Sequence, residues 1–182
     1  MAFTSTLHNL RIGLSDSDRG VYETLELRIA RHPSEGLPFM LTRVLAYCLF
    51  YEPEIAFSRG LAAPDEPALW VRSLDGRVLL WIDVGRPSAD RLHKAGKAAE
   101  RVVVCTFQDP RVLQRAVAGE RIHRAAEIEL VTFPTNVLDA LEAQIAKRMD
   151  WDVVVTGGQL YVTTGGITSE GELVREPLIK EG

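Results

Sequence analysis

Residues 64–94 read PDEPALWVRSLDGRVLLWIDVGRPSADRLHK and contain the pattern that decides the fold. Two apolar, strand-like runs, residues 68–74 and 78–84, flank Asp75-Gly76, a dipeptide that is favoured in two-residue hairpin turns. The second run is nearly all apolar, which is typical of a central strand that is buried on both faces. A helix-like run follows over residues 88–100. The stretch therefore predicts a β-hairpin that leads into a helix.

The predicted hairpin brings two acidic positions together. Pairing about Asp75-Gly76 places residue 68 opposite Asp83, so Asp65 is expected within roughly 10 Å of Asp83 from the strand rise. Two carboxylates this close repel each other unless they share a proton or a cation. Hard oxygen ligands suit Mg²⁺ or Mn²⁺, and such an ion binds a phosphodiester oxygen and lowers the pKa of a bound water. Asp65, Asp83 and the adjacent Glu66 are therefore candidate metal ligands.

The rest of the chain alternates helices with strands. The clearest signal is an amphipathic helix over residues 37–49, whose apolar side chains recur at helical spacing. Ser34 is the expected N-cap and Glu35 is expected in the first turn. The other predicted elements are strands 3–14, 20–31, 55–58, 102–107 and 128–133, helices 110–118 and 134–149, a hairpin of 151–156 with 159–163, and an edge strand within 172–179. This order predicts an α/β fold, α+β in a stricter classification, with a mixed sheet flanked by helices.

Composition limits the class of protein. The 182 residues are 46% hydrophobic and 25% charged, which is typical of one globular domain. We expect no membrane segment, because no apolar run reaches roughly 18 residues. The N-terminus lacks a secretory pattern, and Cys48 and Cys105 have no CxxC spacing, so a cytoplasmic protein with buried free thiols is expected.

Charge is distributed unevenly. The net charge of −4 argues against a dedicated nucleic-acid-binding protein. However, residues 86–124 contain nine Arg or Lys and four Asp or Glu, a local net charge of +5. This segment either offers a surface for phosphates or is an ordinary solvated helix face.

The acidic pair resembles the PD-(D/E)XK nuclease superfamily. Pro64-Asp65, an acid at the end of the next hairpin strand and a lysine further on match its pattern, and residues 34–107 follow the helix, three strands, helix, strand order of its core. The lysine that the superfamily places two residues after the second acid is absent, since Gly85 stands there. The resemblance implies that Lys94, or Arg91 on the same helix, supplies the cation, and that Glu35 is an auxiliary acid.

A longer resemblance, to the bacterial YaeQ family, covers most of the chain. It rests on six short segments in order: Asp18-Arg19, Ala30 to Glu35, Phe57 to Leu61, Asp65-Glu66-Pro67, Leu80 to Asp83 and Lys94-Ala95. The resemblance implies one nuclease-related domain over residues 1–182, with a core at about 34–107. A hairpin at 3–31 and further elements at 127–179 are the expected additions. The family name is also associated with transcription elongation.

Every candidate residue has a structural alternative. Asp83 either binds metal or forms an ion pair with Arg91 or Lys94, because a buried acid needs a partner. Arg43 either contacts substrate or pairs with Glu35. Arg59 either contacts a phosphate or belongs to a plain turn.

Two functions follow. In the first, the chain is a Mg²⁺- or Mn²⁺-dependent phosphodiesterase or nuclease. Asp65 and Asp83 bind metal, Glu35 or Glu66 assists, Lys94 stabilises the transition state, and Arg59, Arg91 and Arg43 contact nucleic acid. In the second, the chain is a catalytically inactive interaction or transcription-related regulatory module whose acids form structural ion pairs.

Overall fold

The computed structural model describes residues 4–59 and 63–180, which form two compact units. Unit 1 comprises Met1–Tyr51 and Phe133–Leu173, and unit 2 comprises Glu52–Thr132 and Val174–Gly182. In chain order the elements are β1 (Thr6–Asp16), β2 (Val21–Arg31), α1 (Leu37–Leu49), β3 (Ile55–Phe57), β4 (Leu69–Arg72), β5 (Val78–Val84), α2 (Ala89–Ala98), β6 (Ala99–Thr106), α3 (Pro110–Val117), β7 (Glu129–Thr132), α4 (Thr135–Ala143), β8 (Arg148–Thr156), β9 (Gln159–Thr164), β10 (Ile167–Glu172) and β11 (Val174–Pro177).

Unit 1 contains one five-stranded sheet, ordered β10-β9-β8-β1-β2, in which strands from two distant parts of the chain meet. The β1–β2 and β8–β9 hairpins are antiparallel, and β1 pairs with β8 in parallel. Residues of β1, β2 and β8 alternate between buried and exposed, which is the pattern of a sheet with one face on a core. Helices α1 and α4 pack together, and α4 also contacts β9 and β10.

Unit 2 is built on a six-stranded mixed sheet, ordered β11-β7-β6-β5-β4-β3. Strands β3, β4 and β5 are antiparallel neighbours, whereas β5, β6 and β7 are parallel. The parallel connection from β5 to β6 passes through α2, as parallel strands require. The buried side chains of α2 and α3, among them Leu92, Ala95 and Leu113, pack in one core with Trp81, Val104 and Leu130 of the sheet.

The β4–β5 hairpin has the predicted register but a different turn. Leu69 lies opposite Ile82 and Val71 opposite Leu80, as pairing about Asp75-Gly76 requires. However, Ser73 N donates to the Arg77 carbonyl at 2.9 Å, and Gly76 adopts a φ of 87°. The register shifts by one residue between Val71 and Arg72, and this irregularity offsets the longer loop.

Some sequence predictions of the fold are confirmed and others are corrected. The mixed α+β class, the central β5 strand and the parallel β6 strand are confirmed. The single predicted mixed sheet is wrong, because the described residues form two. The predicted helix 134–149 is also wrong at its end, because Arg148 and the residues after it pair with β1. Phe3, the first residue of the predicted strand 3–14, lies outside the described residues.

The start of α1 also differs from the prediction. Gly36 is the N-cap and Glu35 precedes the helix, while the Ser34 hydroxyl bonds the His32 ring at 2.6 Å. Ser34 therefore does not cap the helix, because its hydroxyl is hydrogen-bonded to His32, which lies before the helix.

None of the helices in the part of the chain that the structure describes is long and apolar enough to cross a membrane.

Candidate functional site

Asp83 is a buried acid on the central strand of unit 2. Strand β5 has neighbours on both sides, and residues 80–84 are all buried. The Asp83 side chain is only 4% exposed. A carboxylate in such a position requires a charged or hydrogen-bonding partner, since its desolvation is costly.

Arg91, in the first turn of α2, is that partner. Ser88 caps the helix by accepting a hydrogen bond from the Arg91 amide at 3.2 Å. The guanidinium then donates from Nε to Asp83 Oδ2 and from Nη2 to Asp83 Oδ1, each at 2.9 Å. Both carboxylate oxygens are thus engaged in the bidentate geometry that makes Arg–carboxylate pairs strong.

The same guanidinium holds the segment that contains Asp65. Arg91 Nη1 donates to the Pro64 carbonyl, and Nη2 donates to the Glu66 carbonyl at 2.6 Å. The backbone on both sides of Asp65 is therefore fixed to Arg91, while the Asp65 residue itself is exposed. The structure brings the predicted acidic segment and Asp83 together, and the group that joins them is an arginine.

Glu66 forms its own ion pair. Arg59 donates to Glu66 Oε1 from Nη2 at 2.9 Å and from Nε at 3.2 Å, and its amide donates to Oε2 at 3.1 Å. These hydrogen bonds hold the pKa of the Glu66 carboxyl below its ordinary value. Gly60, which follows Arg59 in the loop expected as a phosphate contact or a plain turn, lies outside the described residues.

Lys94, the predicted catalytic cation, forms an ion pair with Asp90 at 3.2 Å, one turn earlier on α2. The two side chains are 75% and 77% exposed. This is an ordinary helix-surface pair, which contributes little to stability.

Glu35 and Arg43 belong to unit 1, whereas the residues described above belong to unit 2. Arg43 donates from Nε to Glu35 Oε1 at 2.7 Å and from Nη2 to Glu35 Oε2 at 2.8 Å. The Arg43 and Glu35 side chains are only 5% and 3% exposed. The sequence left open whether Arg43 contacts substrate or pairs with Glu35, and the structure contains the ion pair.

The predicted metal ligands do not fit Mg²⁺ or Mn²⁺ in this arrangement. Both oxygens of Asp83 accept from Arg91 and both oxygens of Glu66 accept from Arg59, so each carboxylate is already charge-paired with a guanidinium. Across residues 4–59 and 63–180, no group of three or more His, Cys, Asp or Glu side chains is arranged to hold a metal ion. The metal site and its catalytic residues stay predictions from the sequence.

The two cysteines are poor candidates for a nucleophile. Cys48 and Cys105 are buried and free, as expected. Burial raises the pKa of the Cys48 thiol to about 12, and it also raises the pKa of the Cys105 thiol. Both are therefore neutral thiols at physiological pH.

The family of the chain follows from comparison with known proteins. The sequence profile of the YaeQ protein family matches residues 1–173. The chain belongs to the YaeQ family. The YaeQ proteins of Escherichia coli K12 and Salmonella typhi, both described as uncharacterized, are 36% and 35% identical to it over 107 residues. Those alignments span 59% of this chain and 59% of each relative.

Solved YaeQ structures have the same fold. The crystal structure of YaeQ from Pseudomonas syringae superimposes with a TM-score of 0.83 at 38% identity, covering 94% of this chain and 95% of that one. YaeQ from Xanthomonas axonopodis pv. citri gives a TM-score of 0.86 at 30% identity, covering 94% and 98%. The YaeQ prediction is confirmed, while the relation to PD-(D/E)XK nucleases stays a prediction.

Sequence reasoning found the charged residues of this cluster but missed how Arg91 acts. The Asp83–Arg91 pair was one of two alternatives, and nothing in the local sequence indicated the contacts to the Pro64 and Glu66 carbonyls. Backbone acceptors have no sequence signature, because every residue has a carbonyl.

Proposed function

We propose that this YaeQ-family chain is a non-catalytic interaction module in which acids at nuclease-type positions form structural ion pairs. The observation that supports the proposal is the bidentate pair between Asp83 and Arg91. It occupies both oxygens of the acid that a nuclease would use for metal.

The energetics of the pair favour a structural role. Removing one partner of a buried ion pair costs about 3–5 kcal/mol, because the other charge is left uncompensated. A metal ion at Asp83 would have to displace Arg91 and would also release the Pro64 and Glu66 carbonyls. Arg91 therefore competes directly with any cation for this carboxylate.

The strand arrangement of unit 2 supports a nuclease-related origin. Three antiparallel strands, the α2 crossover and a parallel fourth strand are what the PD-(D/E)XK pattern requires of residues 55–106. In our proposal the chain shares this arrangement but lacks the Asp-x-Lys lysine, since Gly85 occupies its position. An interaction or transcription-related regulatory role agrees with such a loss.

The second candidate is the Mg²⁺-dependent phosphodiesterase. It is favoured by the exposed Asp65. The carbonyls of the residues on either side of Asp65 accept from Arg91, and Arg91 also binds Asp83. In this alternative Arg91 would leave Asp83 when substrate binds, and Lys94 would stabilise charge on the phosphorane.

A cleavage assay separates the two candidates. Single- and double-stranded DNA and RNA are incubated with the protein and Mg²⁺ or Mn²⁺, using the wild type, Asp83→Asn and, as a matched control, Asp90→Asn. We expect no metal-dependent cleavage from any of the three proteins. Cleavage by the wild type and Asp90→Asn that is lost in Asp83→Asn would establish the enzyme and reject the non-catalytic role.

A further inference from the structure

A second group of charged side chains lies on unit 2 between α2 and the loop that follows α3. The His123 amide donates to His93 Nδ1 at 3.1 Å, and the two imidazole rings meet edge to face with 6.4 Å between their centroids. Arg124 donates to the Gly96 carbonyl at 3.1 Å and to the Ala99 carbonyl at 2.6 Å. These contacts hold His123 and Arg124 against α2.

The close approach depends on Gly96. A Cβ atom at this position would lie 2.4 Å from the His123 carbonyl oxygen, well inside van der Waals contact. The loop and the helix therefore meet backbone to backbone, and Lys97 of the helix and His123 of the loop line the same surface depression.

Two cations of this group have no acidic partner among the described residues. Lys97, one turn after His93, and Arg121 are both exposed. Among the described residues, neither forms an ion pair, whereas the nearby acids Asp90 and Glu127 pair with Lys94 and Arg124. Desolvation and then the charges of Lys97, Arg121 and His123 lower the pKa of His93, while Asp90 opposes the shift.

A cleft of about 380 Å³ adjoins the group. Gly96, His123 and Arg124 line one side of it, and the buried side chains of Val102 and Ile128 form an apolar part of the wall. Glu100 and Glu127 supply carboxylate acceptors in the same lining. A flat organic group with hydroxyl or amino donors, such as a nucleoside, matches this combination of surfaces.

We propose that His93, Lys97, Arg121 and His123 bind the phosphate group of a nucleotide, whose nucleoside occupies the adjoining cleft. The ammonium and guanidinium groups donate to phosphate oxygens, and the His93 ring, whose Nδ1 accepts from His123, donates from Nε2. The phosphate belongs either to a free nucleoside monophosphate or to an oligonucleotide, since the chemistry of recognition is shared. This site does not involve the Asp83–Arg91 pair and does not rest on the proposed function.

The test is calorimetric titration of the full chain with adenosine 5′-monophosphate and with a single-stranded oligonucleotide. Lys97→Gln/Arg121→Gln removes the two free charges, and Arg115→Gln/Lys147→Gln removes one Arg and one Lys elsewhere on the surface. We expect the first variant to weaken binding at least about tenfold, because charge-assisted hydrogen bonds to phosphate are lost. We expect the second variant to bind as the wild type does.

The two ligands distinguish the sources of the phosphate. Binding of the mononucleotide with this variant pattern assigns a free nucleotide, and binding of the oligonucleotide alone with the same pattern assigns a nucleic-acid strand. Failure of both ligands to bind, or equal binding by both double variants, would overturn the proposal.

A proton NMR titration of His93 gives an independent readout and shows whether the variants are folded. Bound phosphate should raise the His93 pKa in the wild type and leave it unchanged in Lys97→Gln/Arg121→Gln. An unchanged His93 pKa in the wild type with saturating nucleotide would contradict the proposal.

Discussion

Arg91 connects three parts of unit 2 through one guanidinium. It bonds the buried Asp83 on β5 and the Pro64 and Glu66 carbonyls on the approach to β4, and its own backbone starts α2. Its charge also lies over the Trp81 ring, 5.7 Å from the ring centroid. The Arg91 side chain therefore links β5, the segment before β4 and α2, which is typical of a structural ion pair.

Asp83→Asn tests how much the Asp83–Arg91 ion pair contributes to stability. We expect the free energy of unfolding to fall by about 1–3 kcal/mol, because the partly buried Arg91 loses its counter-charge. Urea denaturation measures the change. Asp90→Asn is the matched control, since it breaks an exposed pair on the same helix and should cost less than about 0.5 kcal/mol. Equal effects of the two substitutions would show that the Asp83 pair contributes little.

The Glu35–Arg43 pair in unit 1 gives a second residue-scale prediction. Arg43→Met leaves a buried carboxylate unpaired and should lower the unfolding free energy by about 3 kcal/mol, whereas Glu35→Gln/Arg43→Met should recover much of the loss. Urea denaturation of the single and double variants measures this coupling. Additive losses in the double variant would contradict a direct pair.

At the scale of elements, the contact between α2 and the loop at 121–124 depends on the absence of a side chain. Gly96→Ala should destabilise unit 2 by about 1–3 kcal/mol despite the higher helix propensity of alanine, because its Cβ meets the His123 carbonyl. Ala98→Ser, at an exposed position of the same helix, is the control. Thermal unfolding measures both variants, and a stabilised Gly96→Ala variant would contradict the observed packing.

The elements differ in how far their sequences predicted them. Helix α1 and strands β5 and β6 have strong local patterns, so their type and burial were predicted. The register of Leu69 to Val71 against β5 was also predicted, although a longer turn and a compensating irregularity replace the two-residue turn. Strand β10 was missed, because its Ile167–Glu172 sequence is mostly polar and its pairing depends on β9.

The division into two sheets could not be predicted from local sequence patterns. Strands β1 and β8 pair in parallel although more than a hundred residues separate them in sequence, and neither strand carries a signal for its partner. The candidate site shows the same limit. The charged residues of the Asp83 cluster were identified, but the choice between a metal site and ion pairs depends on side-chain distances.

At the scale of the whole molecule, the His123–His93 contact should make the stability of the fold depend on pH. The pKa of His93 is lowered in the fold from an ordinary value of 6.5, by desolvation first and then by Lys97, Arg121 and His123, while Asp90 opposes the shift. As the pH falls below 6.5, His93 of the unfolded chain takes up a proton more readily than His93 of the folded chain does. Stability should therefore fall on acidification from pH 6.5 toward the lowered pKa, and the His123–His93 hydrogen bond should break.

His93→Gln tests this dependence, because glutamine keeps an acceptor and does not titrate. Urea denaturation at pH 7 and at mildly acidic pH should show a steeper loss of stability in the wild type than in the variant. Parallel pH profiles would show that His93 does not contribute to acid sensitivity.

Whether Asp83 is held by Arg91 or binds metal decides between an interaction module and an enzyme for the chain as a whole. Calorimetric titration of the wild-type chain with Mn²⁺ tests it most directly, with Asp83→Asn and Asp90→Asn titrated in parallel. We expect no saturable binding at Asp83, and therefore identical titrations for all three proteins. Saturable one-site binding that is present in the wild type and Asp90→Asn and absent in Asp83→Asn would contradict it.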